Sequence, residues 1–157
     1  MIPFILGALA AVGLSELSKR NKPKIYANGG QVGFSEYSSK RAASEFFSKL
    51  FQSRDIAHKE HLQTDSFSAH KALNEYYDGI LPLVDGLVES YQGKYAKIEI
   101  ADWNTDSKQP IIPYFESLLS YIDKNKDKAF TDSSLLNQVD EIKAMVQGTL
   151  YKLKELN

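Results

Sequence analysis

The chain contains no cysteine, and that one absence removes disulfides, thiolate zinc sites and cysteine nucleophiles together. It carries almost no net charge, −1 at neutral pH, so its overall field favours neither nucleic acid nor an acidic partner. It has no apolar run of membrane-spanning length. The run from Ile2 to Leu14 reaches about 20 Å as a helix, whereas a bilayer crossing takes roughly 20 residues. Internal repeats and low-complexity segments are absent too. Tryptophan occurs once, at Trp103, and histidine three times, at His58, His61 and His70. What remains is one domain's worth of chain, 157 residues with 43% hydrophobic content, enough for a real core.

The N-terminal stretch stands apart. Ile2, Phe4, Ile5, Leu6, Leu9, Val12 and Leu14 carry seven large apolar side chains, and leaving all of them in water promotes aggregation. No basic segment precedes them, which argues against a secretory signal. Lys19, Arg20, Lys22 and Lys24 follow, as basic residues follow a surface-anchoring segment. Residues 1–17 are therefore expected to dock on a membrane surface or on a protein partner. That places the protein in the cytoplasm or at a membrane. Residues 18–36 read as a basic, Gly-rich linker, with Asn28-Gly29-Gly30 as turn chemistry. Its few cations are a weak nucleic-acid signal. Residues 37–157 form the folded domain.

That domain reads as four helices. The first starts near Ser38 or Ser39 and runs to about Leu62, burying Ala42/Ala43, Phe46/Phe47, Leu50/Phe51 and Ala57 and wetting Arg41, Lys49 and Arg54. Asp65 or Thr64 caps the second, which runs to about Gln92 with Pro82 inside it. Its apolar positions recur at Ala69, Leu73, Tyr76/Tyr77, Ile80/Leu81, Val84, Leu87/Val88 and Tyr91, the three-and-four spacing of an amphipathic helix. Proline there removes one backbone bond and predicts a kink, not an end, because the period resumes beyond it. Residues 94–109 break the pattern, with Ile98-Glu99-Ile100 alternating. A connection of that length suits a chain crossing the length of a bundle. The third helix spans about Pro110 to Lys126, and Phe130-Thr131-Asp132 opens the fourth, which runs to about Leu156. The expected fold is all-α: a four-helix bundle with a long crossover between its second and third helices.

All three histidines fall between Ala57 and Glu89, followed by Glu75, Asp78, Asp85 and Glu89. At about 100° per residue, His70, Asn74, Asp85 and Glu89 share one helix face, beside the apolar stripe. Without thiolates, a metal here is held by imidazole and carboxylate, donors that suit iron, manganese or zinc. The bundle-core di-iron arrangement wants Glu-x-x-His on two helices, and the last two helices contain no histidine. One subunit's core therefore does not supply the site. A two-fold axis pairing the second helix with a copy of itself would. His61, one turn after His58, reads as a surface residue, and His61, Asn74 and Asp78 as weaker ligand candidates.

His58, His70, Asp85 and Glu89 give the pattern H-x11-H-x14-D-x3-E. It resembles the ferroxidase signature of the starved-cell DNA-protection proteins (Dps), members of the ferritin-like superfamily. The resemblance covers roughly Phe46 to Gly93, with Phe67 in a family-like place. It implies a ferritin-like bundle, at least a homodimer. His58 and His70 of one subunit would face Asp85 and Glu89 of its mate, binding iron and oxidising Fe(II) with peroxide or oxygen. The sequence departs from that family at Asn74, where a second aspartate is usual, and at Lys59, where tryptophan is usual. His61 and HLQTDSFSAHKAL look closer to a ferritin-like branch often carried by phages, which adds a virion to the expected locations. A reading of another class stands beside it: a structural or interaction bundle that kept the hairpin without its chemistry.

Overall fold

The computed structural model describes residues 34–156 of the chain. The expectations for residues 1–17 and for most of the linker lie outside them. Four helices follow in order, α1 (Phe34–Gln63), α2 (Phe67–Lys94), α3 (Ile111–Ala129) and α4 (Ser133–Glu155), with no strand among the described residues. None of these helices is long and apolar enough to cross a membrane.

Each helix packs on two neighbours: α1 on α2 and α3, and α4 on α2 and α3. Across the diagonal between α2 and α3 only side chains meet, Tyr76 edge-on to Phe115 at 4.8 Å. The apolar stripes meet in one core, from Phe46, Phe47 and Leu50 through Leu73, Tyr76 and Ile80 to Phe115, Leu118, Val139 and Ile142. A proline inside α2 does not end it; Pro82 is exposed, and Ile80 and Val84 on either side of it are buried. Where α2 faces α4, an added Cβ at Gly79 would come within 2.6 Å of Met145 Cε, the flexible end of a side chain that can move aside. At one end of the bundle Phe130 meets Phe46 edge-on at 5.2 Å, with Phe47 and Tyr91 completing an aromatic cluster.

The crossover, residues 95–110, retraces α1 in the direction of that helix. Ser44 Oγ donates to Glu99 O and accepts from Ala101 N. One turn on, Ser48 Oγ donates to Asp102 O, and after another Gln52 Nε2 donates to Asn104 O at 2.8 Å. Trp103 stacks on Phe51 at 5.2 Å and donates its indole N–H to Asp55. Four-residue spacing puts Ser44, Ser48 and Gln52 on one face of α1, which supplies bonding groups to a backbone that has no helix or sheet of its own. Ile98 and Ile100 turn inward and Glu99 outward, as their alternation predicts.

Several boundaries differ from the sequence reading. α1 is already helical at Phe34, inside the expected linker. Neither Asp65 nor Thr64 caps α2. Thr64 Oγ1 accepts from Ser66 N to shape the turn, and Ser66 Oγ caps by accepting from Ala69 N at 3.2 Å. α2 also continues through Gly93 to Lys94, whose ammonium reaches the Asp132 carboxylate. That carboxylate is the N-cap of α4 and accepts from the amides of Ser134 and Leu135. A cation at one helix end and an anion at another are each placed favourably for the helix dipoles.

Candidate metal-binding hairpin

The hairpin between α1 and α2 is tight because both helix ends are closed locally. Thr64 N donates to Glu60 O and His70 N to Ser66 O, each at 2.9 Å. The short turn brings the last turn of α1 against the first turn of α2, so that His61 and His70 lie face to face. Their rings stack with centroids 3.8 Å apart and planes 27° off parallel.

Each of these two histidines bonds the backbone of the other. His61 Nδ1 lies 2.9 Å from His70 O, and His70 Nδ1 lies 2.9 Å from His61 O. A carbonyl oxygen only accepts, so both Nδ1 atoms carry a proton and both Nε2 atoms keep a lone pair in the neutral ring. His61 O is among the last four carbonyls of α1, which have no partner within the helix. The His70 side chain therefore closes α1 as well as belonging to α2. This corrects the placement of His61 at the surface: it is buried, 7% exposed, because its ring is enclosed by His70, Tyr77 and His58.

His58 stands one turn back along α1, its ring 6.2 Å from His61 and 4.4 Å from Tyr77. It is half-buried, and neither nitrogen has a hydrogen-bond partner among the described residues. Tyr77 is held from two sides. The Arg54 guanidinium lies 5.7 Å from its ring centroid, and its hydroxyl donates to Asn74 Oδ1 at 3.1 Å. Asn74 Nδ2 in turn donates to Asp78 Oδ2 at 2.9 Å. Asn74 and Asp78 are thus engaged with each other along α2. Sequence reasoning passed over Arg54 and Tyr77 as part of this cluster. The signal was present: Arg54, His58 and His61 are spaced by four and three on α1, and His70, Asn74 and Tyr77 by four and three on α2.

Asp85 and Glu89 are elsewhere. Both are exposed on α2, with no hydrogen bond or ion pair among the described residues, so they are not tied into a ridge with lysines. Asp85 lies fifteen positions beyond His70 along the helix, a rise of about 22 Å. One chain does not bring the four residues together, and among the described residues no three histidines and acids stand close enough to hold a metal ion between them. His70 and His61 fit a metal by their chemistry, since Nδ1–H bonded to a backbone carbonyl with Nε2 free is the arrangement that orients metal-bound histidines; His58 has no such bond. Asp85 and Glu89 of the same chain do not reach these rings.

Residues 61–153, more than half of the chain, match a family of unknown function (DUF5856). The match begins at His61 and takes in the turn, α2, the crossover and both later helices. No curated protein and no solved structure matches the chain.

Proposed function

The chain belongs to a family of unknown function (DUF5856), and from the geometry of its histidine hairpin we propose that it is an iron-binding bundle of the ferritin-like, Dps type. Ferrous iron is the substrate, bound between two copies and oxidised by peroxide or oxygen. His58 and His70 of one copy offer imidazole nitrogens, with His61 as a weaker candidate; Asp85 and Glu89 of the other bring the negative charge that favours the ferric product. The observation that carries the proposal is the reciprocal Nδ1-to-carbonyl pair. It spends one nitrogen of each ring on the fold and leaves the other available. Two exposed, unpaired acids one turn apart on α2 support it further, since an ion shared across a two-fold axis needs them uncommitted.

The reading tests most cleanly through His58 and Glu89, because neither holds the fold by a hydrogen bond. Purified protein should oxidise added Fe(II), followed by absorbance of the ferric product, faster than His58→Ala and Glu89→Ala. Equal rates in all three would end the proposal. A second reading, a structural or interaction bundle, is favoured by one observation. Leu62 and Phe67 flank the histidine turn with 71% and 78% of their surface exposed, a hydrophobic tip suited to contact with another protein. Protein purified without chelator and free of iron, zinc and manganese would favour this second reading.

A further inference from the structure

A polar cavity of about 220 Å³ opens away from the histidines, between α1, the crossover and the first turns of α3. Its apolar side is made by Ile56, Tyr114 and Leu118, and its polar side includes Lys49, Gln52 and Asp106. The wall is held in place. Gln52 Nε2 bonds Asn104 O, and Gln109 Nε2 bonds Ser117 Oγ at 3.0 Å, tying the crossover to both helices.

Lys49, expected on the wet side of its helix, is the group that calls for an explanation. It is half-buried, with its ammonium 5.4 Å from the Tyr114 ring centroid and a single hydrogen bond, to Gln52 Oε1 at 2.7 Å. An ammonium has three donors. Among the described residues no carboxylate stands within ion-pairing distance of it, whereas Lys94, Lys126, Lys143, Lys152 and Lys154 each reach one. Burial pushes the Lys49 pKa down, and no opposing charge offsets that. A partly desolvated cation without an anion is costly, and a bound anion would remove the cost. Asp106 in the same wall disfavours a dianion and welcomes a donor.

We propose that this cavity binds a small monocarboxylic acid bearing a hydroxyl or amino group, with the carboxylate on Lys49 Nζ and the donor group on Asp106. The test titrates the full-length, 15N-labelled protein with L-lactate, L-serine, uncharged lactamide and inorganic phosphate, reading the amides of residues 104–109 and 114–118. Saturable shifts with lactate or serine, and none with lactamide, are expected. Affinity should fall at least tenfold in Lys49→Gln and stay unchanged in Lys59→Gln, an exposed lysine of the same helix. Ser117→Leu, which narrows the cavity, gives up the Gln109–Ser117 bond and leaves Lys49 intact, should weaken binding by a similar factor. It decides alone if Lys49→Gln fails to fold. Non-saturating shifts, an equal response to lactamide, tighter binding of phosphate, or wild-type affinity in Lys49→Gln or Ser117→Leu would each overturn the proposal.

Discussion

His70 and His58 differ in kind although the sequence presents them as a pair. His70 donates to an orphan carbonyl at the end of α1 and stacks on His61. A hydrogen bond is worth about 1 kcal/mol net, and an aromatic pair adds roughly 0.5–1.5 kcal/mol. His70→Ala should therefore lower unfolding free energy by about 1–3 kcal/mol in urea. His58→Ala, which loses ring contact and no hydrogen bond, should cost less than about 1 kcal/mol. Equal losses would mean that the reciprocal pair contributes nothing to stability. The contrast also bears on function: a fall in iron oxidation in His70→Ala mixes folding with binding, and in His58→Ala it does not.

Helices here are joined by their ends as much as by their stripes, and Asp132 is the sharpest case. Its carboxylate caps α4 and meets the Lys94 ammonium at the end of α2. The hydrogen bonds from Lys94 and Ser134 hold its pKa well below the ordinary 3.8. A depressed carboxylate stabilises the fold fully above its unfolded value. That contribution is lost as pH falls below about 4 toward the folded value, because the unfolded chain then takes up the proton first. Other acids titrate in the same range, so the informative quantity is a difference. Asp132→Asn keeps a capping oxygen and cannot ionise. Between pH 5 and pH 3 the urea midpoint of the wild type should fall further than that of Asp132→Asn. Parallel slopes would show that the Lys94–Asp132 join adds no pH-dependent stability.

For the whole molecule the deciding quantity is the number of copies. One chain holds three imidazoles at the end of its first hairpin and two uncommitted acids about 22 and 28 Å further along α2, so the proposed centre closes only across an interface. Light scattering at micromolar concentration should give at least a dimer, and Phe67→Ser, which changes a side chain 78% exposed beside the turn, should weaken it if the tip takes part. A monomer that binds iron stoichiometrically would overturn the shared-site arrangement while leaving iron binding intact.

The four helices, their order and the long crossover were legible in the sequence, because apolar spacing of three and four residues is a local property and every stripe it marked has buried members in one core. Capping was legible only as a choice among neighbours. Thr64, Asp65 and Ser66 all suit an N-cap by chemistry, and the path of the turn selected Ser66. Lys49 read as wet because lysine on a helix usually is; the packing of α3, with the Tyr114 ring beside its ammonium, leaves it half-buried. His61 read as surface because its partner is the backbone of His70, nine residues away, and a sequence names side chains without saying which carbonyl each will meet. Residue types and their spacing are set by the chain itself. Which polar atoms end up facing one another, and which are left without a partner, is decided only when helices distant in sequence close around them.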